Sequence, residues 1–222
     1  MTLKSPSKIS VQVVSDVVCP FCLIGGARLD QALAALPEVD AEVHYLPFQL
    51  DPTTPKEGRD LRAHLKAKYG SDPTPMFARV EAMARESGIA LDFTKVRRSV
   101  NTLHAQTFLR LADDAHQRAL AKALFEAYFF DGADINDDNV LVAIAINHGF
   151  SEARAREVLA DEAGHKETLA DASALAKQGI SGVPFFIFSR VGREEPGHAI
   201  SGAQPVAVLT QVIRSLVEST AE

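Results

Sequence analysis

The stretch SDVVCPFCLIG (15–25) contains both cysteines of a 222-residue chain, Cys19 and Cys22, with Pro20 and Phe21 between them. Random placement of two cysteines over this length gives that spacing on the order of one time in a hundred. Two thiols so arranged can exchange with disulfides, ligate a metal or sit inert in a core. Zinc takes about four ligands, and with no second cysteine pair a metal centre must recruit distant histidines or carboxylates, so no metal is assigned. Pro20 suits the first helical position, where its missing N–H costs nothing, and this makes Cys19 the N-cap. Positions 22, 26, 29, 33 and 36 then share one face. Cys22, Gly26, Leu29, Leu33 and Leu36 form the buried stripe and Cys22 points toward the sheet, whereas Cys19 sits at the helix mouth near solvent. The helix dipole and the free N–H groups there favour a thiolate at Cys19 over Cys22. One exposed thiolate that attacks and one shielded thiol that resolves is the arrangement thiol–disulfide exchange requires. Gly25 and Gly26 give up helix propensity, up to ~1 kcal/mol each, and close packing at that turn would account for it.

The rest of the chain must hold this pair in place. Its length fits one large domain, or a domain with a substantial insertion. Apolar residues make up 46% and charged residues 23%, and the net charge is −6. Lys and Arg are not concentrated in one segment, which argues against a nucleic-acid footprint and against an anionic membrane surface. The longest apolar run, VLVAIAI (140–146), is far too short to span a bilayer. The opening MTLKSPSKISVQVVSD has lysines but neither a continuous apolar run nor a small-residue cleavage site. A cytoplasmic location is expected, and a lasting structural disulfide is disfavoured there.

Alternation of Ile9, Val11 and Val13 with polar residues predicts a strand over Ile9–Val14. A helix from Pro20 to Leu36 follows, then a second strand at about 42–48, and together they form a βαβ unit with parallel strands. DPTTPKEG (51–58) breaks the pattern. Helical periodicity then runs through Leu61, Leu65 and Tyr69; Phe77, Val80 and Met83, stopped by Gly88; Leu103, Phe108 and Leu111; and Leu120, Leu124 and Tyr128. Asn136 or Asp137 caps a helix carrying Val140, Leu141 and Ile144, Ser151 starts another, and a last one runs from about Glu162 to Lys177. Each apolar stripe reads as core packing. The continuous run PFFIF (184–188) predicts a strand buried on both faces. Turn-rich SRVGREEPG leads to a hairpin partner at HAIS (198–201), and a helix from Pro205 to Glu218 closes the chain. Residues 1–55 and 180–222 thus form one discontinuous part, interrupted by a helical insertion over 56–179 whose last helix can belong to either.

Strand–CxxC–helix at the front with Gly-Val-Pro-strand at the back resembles the thioredoxin fold, and the helical insertion narrows this to the DsbA family. SDVVCPFCLIG, VNTLHAQTFLRLA (100–112), GISGVPFF (179–186) and AISGAQP (199–205) are similar, more specifically, to its FrnE-like subgroup. The resemblance implies an α/β thioredoxin-like fold, a central mixed sheet with a large all-helical insertion. It implies Cys19 as nucleophile, Cys22 as resolving thiol and a cis peptide between Val183 and Pro184 beside them, with Pro20, Phe21, Val183 and Pro184 contacting substrate. It further implies a thiol- or disulfide-bearing protein or peptide as substrate and no cofactor beyond the cysteine pair, with glutathione as an optional co-substrate. DsbA itself has a histidine before its second cysteine; Phe21 stands there in this chain, so a less oxidising pair is expected.

Two other polar residues are smaller candidates. Asp16, three residues before Cys19, is placed to tune proton transfer, or simply to end the strand and cap the helix. Asn101 is placed to face the cleft, or to act as an N-cap. None of the seven histidines is assigned a ligand role. The insertion should wall a cleft floored by Cys19, Phe21 and the Val183–Pro184 loop. Apolar Phe21 at the rim favours a substrate of hydrophobic character. No Lys or Arg lies within five residues upstream of either cysteine, and the nearest downstream is Arg28, which argues against tight glutathione binding. Two other functions stay open: a glutathione-dependent isomerase or transferase of the kappa or 2-hydroxychromene-2-carboxylate isomerase type, whose members typically carry serine at the position of Cys19, and a non-catalytic chaperone-like binding module.

Overall fold

The computed structural model describes residues 7–192 and 197–218, so residues 193–196 of the expected turn before the last hairpin strand lie outside it. The elements follow in the order β1 (Ser7–Ser15), α1 (Pro20–Ala34), β2 (Val39–Pro47), β3 (Arg59–Asp60), α2 (Leu61–Tyr69), α3 (Thr74–Glu86), β4 (Arg98–Ser99) and α4 (Leu103–Leu111). They continue as α5 (Asp114–Phe129), α6 (Asp138–Ile146), α7 (Glu152–Ala160), α8 (Glu162–Lys177), β5 (Phe185–Arg190), β6 (His198–Ser201) and α9 (Val206–Glu218).

The main sheet is ordered β2-β1-β5-β6. β1 runs parallel to β2 and antiparallel to β5, and β5 is antiparallel to β6. The mixed sheet follows from connection length: α1 returns the chain for a parallel partner, while β5 and β6, close in sequence, pair antiparallel. β1 is central; its Ile9, Val11 and Val13 face is buried, while the other face is buried at Val14 and open at Gln12. Ile9, Val11 and Val13 pack with Phe186, Phe188, Leu209 and Ile213 beneath α1 and α9, while Val14 meets Leu175 of α8 and Ile180 on the other face. α1 ends two residues earlier than its sequence pattern suggests, and its buried side is Cys22, Ile24, Gly25, Leu29 and Ala32. Gly26 and Leu33 of the expected stripe are only half-buried, because α1 is covered on two sides, by the sheet and by the helices of the insertion.

Those helices begin where short polar side chains accept from the first free amides: Asp60 for α2, Asp113 for α5, Asp137 for α6 and Ser151 for α7. Their shared core includes Phe77 stacked on Phe93 at 4.3 Å and Phe93 edge-on to Phe129 at 6.3 Å. Val17, Cys19, Cys22 and Ile24 belong to this helical core rather than to the sheet core. The cysteines therefore lie at the seam between the two layers. The apolar stripe of α2 departs from expectation: none of its side chains is buried.

Candidate active site

Cys19 is the N-cap of α1 with extended φ −89° and ψ 114°, Pro20 follows at the start of the helix, and no side chain caps the terminus. The amides of Cys22 and Leu23 donate to the Cys19 carbonyl at 3.0 and 3.2 Å, so the first turn is closed around the pair. Both thiols are free. Cys19 is 2% exposed, a correction to the expectation of a thiol near solvent. The reason is tertiary: α2, α3 and the loop after β2 close over the helix mouth, and Cys19 faces a cavity of about 320 Å³ instead of open water. Leu50, Leu65, Phe77, Val100 and Val183 are among its walls, and Pro20 and Phe21 also line it, with Phe21 39% exposed at the edge.

The Val183–Pro184 peptide is cis, and the Val183 carbonyl oxygen lies 3.8 Å from the Cys19 sulfur. Pro184 does not line the cavity. It packs against Gly25, where an added Cβ would sit 2.9 Å from the proline Cγ and 3.1 Å from Cζ of Phe186. Gly25 is thus the place where helix propensity yields to close approach. Cys22 is also 2% exposed but is not part of the Cys19 cavity. Burial pushes its thiol well above the ordinary value, and the hydrogen bond to Cys19 and the negative charge there push it further.

Asp16 lines the cavity and is 1% exposed. Its side chain does not cap α1; only its backbone carbonyl takes part, accepting from the Cys19 amide at 2.9 Å. One carboxylate oxygen accepts from the Leu50 amide at 2.8 Å and the other from Gln106 Nε2 at 3.4 Å. These bonds favour the charged form, yet burial outweighs them and pushes the carboxyl up to about 6. Asn101 does not face the cleft, whereas its neighbours Val100 and Thr102 do. Its Nδ2 donates to the Thr54 carbonyl at 2.7 Å, and its Oδ1 accepts from the Leu103 amide at 3.0 Å. It ties the loop after β2 to the start of α4, whose N-cap is Thr102. Arg28 is likewise engaged elsewhere, donating to Ser87 Oγ at 2.8 Å and to the Ala203 carbonyl at 2.7 Å.

The chain that builds this site matches known proteins over most of its length. Residues 10–214 match the DSBA-like thioredoxin domain. The chain belongs to this family. It is 35% identical to a probable DsbA oxidoreductase from Streptomyces coelicolor of known crystal structure, with a TM-score of 0.81 and coverage of 96% of this chain and 91% of that one. The fold is shared at 14% identity with a 2-hydroxychromene-2-carboxylate isomerase, with a TM-score of 0.72 and coverage of 96% and 98%. It is also shared at 15% identity with the cytosolic disulfide reductase DsbM from Pseudomonas aeruginosa, solved with GSH, with a TM-score of 0.61 and coverage of 95% and 98%.

Two components of this DSBA-like site escape sequence reasoning. Gln106, 2% exposed, donates from Nε2 to the Ser15 carbonyl at 3.0 Å and the Phe48 carbonyl at 3.1 Å, besides Asp16. It joins the ends of β1 and β2 to the insertion. A glutamine between Ala105 and Phe108 on an apolar helix face was the available signal. The second is α2, whose Leu61, Leu65 and Tyr69 line the Cys19 cavity, Leu61 and Leu65 at the edge of the helical core. Among the described residues no helix is long and apolar enough to cross a membrane.

Proposed function

We propose that the protein is a thiol–disulfide oxidoreductase in which Cys19 attacks and Cys22 resolves. The carrying observation is the asymmetry of the pair: Cys19 faces the cavity under α2 and abuts the Val183 carbonyl, while Cys22 lies outside that cavity, on the wall of a separate one between α1 and α5, with its proton held tightly. In the reducing direction the Cys19 thiolate attacks a substrate sulfur, the substrate S–S bond breaks and one substrate thiolate leaves. Cys22 then loses its proton and attacks Cys19, so the mixed disulfide breaks, the second substrate thiolate leaves and the enzyme ends as the Cys19–Cys22 disulfide. An external dithiol of the cell restores the reduced pair, and the same steps reversed oxidise a substrate dithiol.

When Cys19 is in the mixed disulfide its negative charge is gone, and part of what holds the Cys22 proton goes with it. Asp16, ionising near neutrality within the same buried cluster, takes the role of proton acceptor. Pro20, Phe21 and Val183 contact the substrate, and Pro184 fixes the position of the Val183 carbonyl. The substrate is a thiol- or disulfide-bearing peptide or protein, in a reducing compartment such as the cytoplasm, and no cofactor beyond the cysteine pair takes part. The 2-hydroxychromene-2-carboxylate isomerase and the GSH-bound DsbM share this fold and support a glutathione-dependent second reading; the presence of both cysteines favours exchange.

The test is a pair of variants. Cys22→Ser should accumulate mixed disulfides through Cys19, and Cys19→Ser should be inert in insulin reduction. Wild-type insulin reduction by Cys19→Ser would overturn the assignment. Micromolar glutathione binding by calorimetry, with isomerase turnover that survives Cys22→Ser, would favour the second reading.

A further inference from the structure

α2 is amphipathic in sequence and only partly covered in structure, with Leu61 and Leu65 packed at the edge of the helical core. Leu61, Leu65 and Tyr69 recur at i, i+4 and i+8, yet none is buried, and all three line the Cys19 cavity. Large apolar side chains are exposed at few places in the described surface. Three of them, Phe21 at 39%, Leu50 at 43% and Tyr69 at 59%, gather at this one cavity. Exposed apolar surface of this kind, clustered around a reactive group, marks a binding surface. At about 320 Å³ the space is at the lower end of ligand pockets, enough for one large side chain beside the reacting sulfur.

Charge restricts the occupant further. Asp51 is paired with Arg59, and His64 Nε2 lies 3.3 Å from the same carboxylate. The Arg59 Nε is buried without a hydrogen-bond partner. Lys68, on the cavity wall, has no carboxylate partner among the described residues; its ammonium sits 5.7 Å from the Tyr69 ring centroid. Asp16, the other carboxyl on the wall, is turned to the Leu50 amide and Gln106. On the α2 side of the cavity wall the Asp51 charge is thus matched, and Lys68 is left as a cation without a carboxylate partner among the described residues.

We propose that α2 is a specificity wall: Leu61, Leu65 and Tyr69 receive a large apolar side chain next to the reacting cysteine of an extended peptide, and Lys68 meets an acidic residue just beyond it. This rests on the exchange function proposed above. The class of substrate is an acidic, apolar-flanked cysteine peptide, and α2 contributes to selection rather than to the chemistry.

The test uses reduced, full-length protein and short peptides whose single cysteine is blocked as a mixed disulfide with 2-thiopyridine. Attack by Cys19 on the peptide sulfur breaks that disulfide and releases pyridine-2-thione, which is followed by absorbance. Cys22 then frees the peptide thiol, leaving the Cys19–Cys22 disulfide, so one turnover needs no added reductant. A Phe-Cys-Glu peptide should react at least about tenfold faster than Ser-Cys-Glu and, at low salt, a few-fold faster than Phe-Cys-Lys. Leu65→Ser and Tyr69→Ser should each shrink the first ratio, through a weaker apparent affinity at an unchanged limiting rate, and Lys68→Glu should reverse the second. Leu169→Ser, an exposed apolar residue of α8 outside the cavity, should keep wild-type ratios. Because Tyr69 is 59% exposed, its variant remains informative even where Leu65→Ser folds poorly. Ratios below about twofold in the wild type, or ratios unmoved in the α2 variants, overturn the proposal. Wild-type reduction of bis(2-hydroxyethyl) disulfide separates the two failures: if it proceeds while the peptide ratios are flat, the wall alone is wrong, and if it does not, the exchange function falls and the wall with it.

Discussion

Adjacent glycines in α1 should respond in opposite directions to the same substitution. In Gly25→Ala the new methyl would lie 2.9 Å from Cγ and 3.5 Å from Cβ of Pro184, and 3.1 Å from the Phe186 ring. Pro184 is a stiff ring and Phe186 is 0% exposed, so neither can yield without moving the β5 end of the sheet. Overpacking of this kind costs ~1–3 kcal/mol, against a helix-propensity gain of up to ~1 kcal/mol. At Gly26 the nearest atom to the new methyl is the Tyr45 hydroxyl at 3.5 Å, an ordinary contact, and only the propensity gain remains. The two variants should therefore differ by ~1–3 kcal/mol, or roughly 2–12 °C in melting temperature for a chain of this size, with Gly26→Ala the more stable. Urea titration at pH 7 and scanning calorimetry give the comparison. A displaced Pro184 also moves Val183, whose carbonyl sits 3.8 Å from the Cys19 sulfur, so Gly25→Ala should slow insulin reduction while Gly26→Ala does not. Equal stability of the two variants would refute the reasoning that Gly25 is dictated by contact with the proline loop.

Asp16 provides a pH signature. Its folded value is raised from 3.8 to about 6, so between those values the folded state holds a proton that the unfolded state has lost. Stability then falls as pH rises through that window, by ~3 kcal/mol, and is lowest above it. Urea unfolding at pH 4 and pH 7 should show this fall in the wild type, and Asp16→Asn should lack it; a variant with the wild-type pH slope removes Asp16 as the cause. Gln106→Leu strips the donor from the buried Ser15 carbonyl and the half-buried Phe48 carbonyl, and a buried acceptor left unpaired costs ~1–3 kcal/mol. The expected loss of ~2 kcal/mol or more in urea titration should exceed that of Asn147→Leu, which removes an exposed bond, and parity between the two would contradict the bridging role.

The local features of this chain are legible in its sequence. Pro20 after Cys19 marks the helix start, alternation in Ile9–Val13 marks β1, and short polar side chains at Asp137 and Ser151 mark caps, because each depends on neighbours a few residues away. The parallel β1–β2 pair and the antiparallel β5–β6 hairpin follow from connection lengths. Depth and partnership are decided elsewhere. A stripe at i, i+4, i+8 states only that one face of a helix is apolar. In α3 and α5 that face is buried in a core, while in α2 it lies at the edge of the core and opens on the space over Cys19. The N-cap position of Cys19 is local, but its burial depends on α2, α3 and the loop bearing Leu50, which no periodicity in α1 encodes. The two-residue β3–β4 ladder, which pairs Arg59 with Ser99, lacks any pattern long enough to read. Asp16 is a short polar residue at a strand end in sequence; only the Leu50 amide, Gln106 and the surrounding helices make it a buried carboxyl ionising near neutrality. Residue type and spacing determined which groups could react, and the packing of distant segments determined the water, charge and space around them.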